Sequence, residues 1–391
     1  MPWQVTDVLD QRRQFVKEWF GQECSRAELC RRYGISRKTG YELMDRFQQQ
    51  GLLGLQDRSR APRSNSRAVT QERQECIIAA RLEHPTWGAR KLYAWLKQQC
   101  LDINWPCPST IGDLLHREGL TVARRRCRRT PPYTQPFAGC EAPNAVWCAD
   151  FKGWFRTGDG QPCYPFTLSD AYSRFLLRCQ ALPRADYTAV QPLFDAAFRE
   201  FGLPVAIRTD NGPPFAARGL GALSRLSVWW VKLGILPERI APGHPEQNGR
   251  HERMHGTLKR DAATPPRATR RAQQHGFDRF RHVYNCERPH EALDQHTPAS
   301  CYQPSTRRYP CGRPGVTYPD DAELRRVRHN GEIRWRCQLL YVSELLAGEL
   351  VGLQPIDDRY WRLSFGPLEL AVVDNHCHRL IVPKSPPRRG G

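Results

Sequence analysis

The sequence predicts a three-part chain: an all-α arm, a central α/β layer built on a mixed sheet, and a small β-barrel at the end. Three observations predict it. Helical periods broken by Gly and Pro fill residues 11–50 and 71–118; short strands, a helix and a buried strand succeed one another over 146–209; alternating short strands separated by turn signals occupy 315–385. At 391 residues the chain has room for two to four units, taking roughly 150 residues per domain.

Charge narrows the partner. The chain carries 59 Lys and Arg against 40 Asp and Glu, a net of +19. Such an imbalance favours an extended polyanion, most commonly nucleic acid, although composition alone does not separate that from an anionic membrane surface. Residues 1–135 hold 24 Lys/Arg against 14 Asp/Glu, a net of +10, while 136–299 come to +5 and 300–391 to +4. The grading suggests an arm that grips DNA ahead of a working core. The start, MPWQVTDVLDQRRQF, has no apolar signal stretch, and no run of about 18 apolar residues could span a bilayer. The expectation is a soluble, cytoplasmic protein with no membrane partner. The 15 cysteines are scattered, odd in number and lack a C-x-x-C pair, so reduced thiols are expected rather than a disulfide framework or a zinc site.

Within the arm, residues 1–56 show two helical patterns broken at Gly34, the first opening on a capping box (SRAE, 25–28) with Leu29, Cys30 and Tyr33 on its inner face. The second begins at Ser36 and carries Arg37, Lys38, Tyr41 and Arg46, as a helix-turn-helix presents its recognition helix to a major groove. A plain helical hairpin with a solvated basic face fits the same pattern. The helix pattern at 11–20 and the basic excess favour DNA. A polar linker, 57–69, leads to a second helix-turn-helix-like unit, 70–130, with pieces at 71–83, 88–99 and 109–118. It ends in RRRCRR, in which Arg124, Arg125, Arg126, Arg128 and Arg129 form a charge run that is by default a solvated face. Just ahead of the core it reads as a DNA-tracking hinge.

The core, 136–305, opens with VWCADF and continues as a hairpin, YPFTLSDAYSRFLLRCQAL, turning at 170–173. A helix is expected at 186–201, a strand at 205–207 running into Thr209-Asp210-Asn211-Gly212, and more helix at 221–232. An aspartate inside an apolar strand is costly unless paired, protonated or bound to metal. Asp150 is such a residue, Asp210 ends a later strand, and Glu246 and Glu252 lie in PGHPEQNGRHERMHGTLKRD. Hard cations such as Mg²⁺ prefer carboxylate oxygens, and two ions about 3.5 to 4 Å apart support in-line phosphodiester chemistry. Asp170, in SDAYS, reads as a turn-forming aspartate, and Asn211 and Gly212 as shaping the loop after Asp210.

WCADFKG, RTDNGPPF and PEQNGRHERMHGTLK, in this order, resemble the Asp, Asp, Glu signature of retroviral-integrase-type cores in insertion-sequence transposases. The order of arm, core, the RPHEAL…TPASCY segment at 288–302 and terminal barrel is similar to that family too. The resemblance implies a ribonuclease-H-like core. It implies Asp150, Asp210 and a glutamate as catalytic metal ligands, with Mg²⁺ as two ions and Mn²⁺ able to substitute. It also implies double-stranded DNA partners, namely terminal inverted repeats and target, homo-multimers on that DNA, and a bacterial, nucleoid-associated setting.

Interval and local pattern disagree about the glutamate. Glu246 leaves 35 residues after Asp210, the family's familiar interval, whereas Glu252 leaves 41. The family's glutamate follows a Gly by a few residues, opens a helix and has a lysine seven positions on, conditions that Gly249, Glu252 and Lys259 meet. Glu252 is therefore expected as the ligand, Met254 and Leu258 as inward residues, and the longer interval as extra residues around LSRLSVWWVKLG. Lys259 and His255 are expected to face the DNA end. The implied reaction is metal-dependent hydrolysis freeing a 3′-hydroxyl, followed by its attack on target DNA. Rivals are a nuclease that only cuts and a DNA-binding regulator or inactive copy with a dead core.

Overall fold

The structure is a computed structural model that describes residues 7–58, 69–121, 140–217, 219–240, 249–312, 315–377 and 379–381. Contacts divide the chain into Met1–Ala68 and Val69–Gly391. Among the described residues no helix is long and apolar enough to cross a membrane.

The first unit is three helices, α1 (Val8–Gly21), α2 (Arg26–Arg32) and α3 (Arg37–Gln50). Ser25 and Ser36 cap α2 and α3 by accepting from the backbone N–H groups of Glu28 (3.3 Å) and Thr39 (3.1 Å). Gly34 has φ +64, the left-handed turn between them. Phe15, Leu29, Cys30, Leu43 and Met44 form the core. Gly40 lets α3 approach closely, since a Cβ there would lie 2.7 Å from Cys30 Sγ.

In the second unit α4 (Gln71–Glu83), α5 (Ala89–Gln99) and α6 (Pro108–Arg117) enclose Ile77, Trp87, Leu92, Ile111 and Leu114. This bundle docks on the core: Lys91 Nζ donates to Pro289 O at 2.9 Å, and Val283 packs on its apolar cluster.

The core sheet runs β4-β3-β1-β5-β6, made from β1 (Val146–Phe151), β3 (Pro162–Asp170), β4 (Leu176–Leu182), β5 (Ala206–Thr209) and β6 (Leu236–Arg239), with a short β2 (Phe155–Arg156) also on β3. β1 is antiparallel to β3 and parallel to β5, and β5 is parallel to β6. Alternation along β1 sends Trp147 and Ala149 into the main core with Phe194 and Phe198 of α7 (Tyr187–Phe201). Val146, Cys148 and Asp150 consequently share the opposite face. This is the mixed α/β layer with a ribonuclease-H-like order.

α8 (Arg225–Lys232) lies within LSRLSVWWVKLG, inside the stretch expected to be helical. Leu226 and Trp230 are buried in the main core, while Val228 and Val231 seal a second one. That second core belongs to the terminal β-rich region, a five-stranded antiparallel sheet in the order β13 (Arg379–Ile381), β12 (Leu368–Asp374), β11 (Tyr360–Phe365), β10 (Leu350–Pro355) and β7 (Glu323–Arg326), with a hairpin of β8 (Glu332–Trp335) and β9 (Gln338–Tyr341). The two sheets wrap Ile333, Trp335, Leu353, Leu363 and Phe365. Among the described residues the pairings leave β7 and β13 as edges rather than closing a ring.

Candidate active site

The parallel register pairs Ala149 of β1 with Thr209, the last residue of β5, so Asp150 and Asp210 each follow directly on the same register pair. Asp150 also pairs with Thr167 across the antiparallel side. Its Oδ1 accepts the Phe151 N–H at 2.7 Å. Asp210 lies directly after β5, partly buried, and its Oδ1 is buried with no hydrogen-bond partner. Burial pushes its carboxyl above the usual range, only partly offset by the Gly212 N–H.

Gly212 sits over that carboxylate, where a Cβ would lie 3.1 Å from Asp210 Oδ2. Asn211 Nδ2 donates to Ile240 O at 2.8 Å and so ties the loop to the end of β6. Gly212→Ala is expected to displace the carboxylate slightly and lower turnover about tenfold with DNA binding unchanged, since small misplacements of reacting groups are costly. Single-turnover cleavage by the purified variant measures this.

α9 (Gly249–Leu258) lies across the face bearing Asp150, and Lys259–Ala263 continues it as a wider π turn. Its buried stripe is His251, Met254, His255 and Leu258, spaced i, i+3, i+4 and i+7. Glu252 falls in the first turn on the exposed side, and Lys259, almost two turns beyond, is exposed as well. Met254 and Leu258 do point inward. His255 does not face outward with Lys259: it is 4% exposed and packs between strand and helix, because position 255 belongs to the same stripe as Met254 and Leu258.

Thr167 Oγ1 lies 2.7 Å from Nε2 of both His251 and His255 and donates to Asp150 O at 3.2 Å. His251 Nδ1 is 3.3 Å from Ser169 Oγ. Burial pushes both imidazoles far down, to about 3 and about 2, so both are neutral at neutral pH. The 3.9 Å approach of His255 Nδ1 to Asp150 Oδ2 is therefore not an ion pair. Among the described residues Asp150, His251 and His255 are the group whose ligand atoms lie within 4.8 Å of one another; Asp210 and Glu252 stand outside it. His251 and Thr167 were not singled out from the sequence. The i, i+4 histidine pair on an otherwise apolar stripe was the available signal.

Asp170 is a turn former, fully buried, accepting the N–H groups of Asn144 (2.8 Å) and Ser173 (2.7 Å) and the Ser173 hydroxyl (2.6 Å). On α3, Arg37, Lys38 and Tyr41 are exposed along one side, whereas Arg46 turns back to bond Gln56 O. Arg124, Arg125, Arg126, Arg128, Arg129 and Glu246 lie outside the described residues.

Integrase core domain models match residues 141–245 and 233–298, a helix-turn-helix model matches 11–63 and a homeodomain-like model 39–115. A 31.7 kDa protein of insertion element IS407 from Burkholderia multivorans is 28% identical over 230 residues, 57% of this chain and 79% of its own. The transposase InsD of insertion element IS2 from Escherichia coli is 27% identical over 231 residues, 55% of this chain and 73% of its own. These matches support an insertion-sequence transposase with an integrase-type core. Among solved structures, the HTLV-2 integrase catalytic core in complex with magnesium covers 42% of the transposase and 99% of its own chain, at 15% identity and a TM-score of 0.33.

Integrase-type cores use divalent metal, and the transposase offers suitable donors. Asp150 and Asp210 present hard carboxylate oxygens at neighbouring strands, and the orphaned, buried Asp210 Oδ1 is an acceptor that a cation would satisfy.

Proposed function

We propose that the transposase binds the ends of a mobile element, cleaves them by metal-dependent phosphodiester hydrolysis and joins the freed 3′-hydroxyls to target DNA. Asp150, Asp210 and Glu252 would hold two Mg²⁺ ions, with Mn²⁺ able to substitute. The observation that carries this reading is that Asp150 and Asp210 each follow directly on the Ala149–Thr209 register pair of neighbouring parallel strands, in a core whose helix α9 bears Glu252 in its first turn. When bound, such ions lower the pKa of water and neutralise charge on the attacking and leaving oxygens. The chain's own part is to hold three oxygens in place and to leave Lys259 exposed for a phosphate near the end.

On this reading the helical units, 1–56 and 70–130, recognise the element's terminal inverted repeats, 136–305 performs the chemistry, and 315–385 is an accessory β unit. Two ends must be brought together, so a homo-multimer on DNA is part of the proposal. The test is whether Mg²⁺-dependent nicking at an element end disappears in Asp150→Asn while gel-shift binding of the same duplex persists.

Recognition by the arm predicts steep salt dependence. With about 6 to 10 phosphate contacts, affinity should fall about 10³- to 10⁵-fold between 50 and 200 mM salt. Replacing Arg37 and Lys38 by Ala should reduce preference for the element end more than replacing Arg128 and Arg129, because groove contacts specify and backbone contacts position. Binding isotherms on end and random duplexes check both statements; equal losses on both DNAs for both pairs would contradict the division.

A further inference from the structure

α9 is anchored by two kinds of contact. Met254 and Leu258 bury apolar surface, which fixes how deep the helix sits but is non-directional. His251 and His255 meet one hydroxyl, and hydrogen bonds are directional.

The donors and acceptors resolve completely. A carbonyl can only accept, so the single Thr167 hydroxyl proton goes to Asp150 O. The hydroxyl's two lone pairs then accept Nε2–H from His251 and His255, and His251 Nδ1, left as an acceptor, takes the Ser169 hydroxyl proton. Both rings are neutral Nε2–H tautomers. The hydroxyl bonds both Nε2 atoms, so these two ring nitrogens are engaged in hydrogen bonds to one side chain.

We infer that Thr167 is a positioning residue: through His251 and His255 its hydroxyl fixes the rotation of α9, and with it Glu252, against the strand rung that carries Asp150. The inference rests on the proposed role of Asp150 and Glu252 as metal ligands. Thr167 is the register partner of Asp150 and donates to its carbonyl, so one side chain ties together the strand bearing one carboxylate and the helix bearing another. Buried partners of this kind typically influence metal affinity or activity by about 10- to 100-fold when removed.

The test uses the full-length protein, a labelled end duplex and titrated Mg²⁺. Thr167→Val keeps the shape and removes the hydroxyl. It should raise the Mg²⁺ concentration for half-maximal cleavage about tenfold or more while end-binding affinity stays unchanged. Thr167→Ser should restore the midpoint. Misfolding would lower the active fraction without moving that midpoint. If Thr167→Val does not fold, Thr167→Cys, of similar volume and weaker bonding, should give a midpoint raised above wild type. A wild-type midpoint and rate in Thr167→Val, or in Thr167→Cys where that is the variant measured, with Glu252→Gln inactive, would overturn the positioning role and leave the catalytic reading standing. Normal cleavage by both Asp150→Asn and Glu252→Gln would overturn the catalytic reading itself. Stoichiometric Zn²⁺ binding that is lost in His255→Gln, measured calorimetrically, would make the rings metal ligands rather than partners held by Thr167 and would also overturn the positioning role.

Discussion

Asp210→Asn is expected to abolish cleavage while leaving the fold at least as stable as the wild type. The change keeps the shape of the side chain and removes its charge. Loss of metal stabilisation worth several kcal/mol corresponds to about 10³-fold or more in rate. Stability should move the other way. Burial raises the Asp210 carboxyl in the folded chain, so the stability that its protonation contributes is present below the ordinary carboxylate range and lost as pH rises through the raised value. At neutral pH the ionised group is a liability, and a neutral amide removes it. The melting temperature at pH 7 should therefore be unchanged or higher, with end binding retained. Parallel loss of melting temperature, binding and activity would instead make Asp210 a structural residue.

Glu252→Gln is expected to eliminate cleavage and joining with Mg²⁺ or Mn²⁺, whereas Glu246→Gln retains substantial activity. Glu252 is exposed in the first turn of α9, so its replacement should alter stability by no more than about 0.5 kcal/mol, as for ordinary surface sites. A large rate effect on a neutral surface substitution identifies chemistry rather than folding. Glu246, ahead of the helix, is expected to contribute no more than a cap or DNA contact, about 1 kcal/mol or under tenfold in rate. Lys259 adds a check: seven residues are almost two turns, so it shares a side with Glu252, while Arg260 points about 100° away. Lys259→Ala should weaken engagement of the DNA end more than Arg260→Ala. Inactive Glu246→Gln beside a fully active Glu252→Gln would mean that the 35-residue interval, and not the helix pattern, marks the ligand.

Much of this was legible in the sequence because it depends on local periodicity. The strand alternation of VWCADF, the hairpin around Asp170 and the i, i+3, i+4 stripe of α9 are each written within a few residues. What stayed hidden depends on pairing across long separations. Thr167 meets Asp150 only through antiparallel register, and meets His251 and His255 from residues 84 and 88 positions later. His255 looked like a DNA-facing residue because imidazole is polar; only its buried hydroxyl partner explains why it sits on the apolar stripe. The helix of α8 was legible, but nothing local shows that its two apolar faces serve two different cores. Docking of the second helical bundle on residues near Pro289 likewise has no local signature.

The most direct measurement is a joining assay. The transposase is incubated with a labelled duplex of an element's terminal repeat, unlabelled target DNA and Mg²⁺, and covalent transfer of the label to target-length product is followed. The account predicts a cleaved end with a 3′-hydroxyl, then joined product, with both absent in EDTA and in Asp150→Asn, Asp210→Asn and Glu252→Gln. Joined product that persists in EDTA or in Asp210→Asn would contradict it.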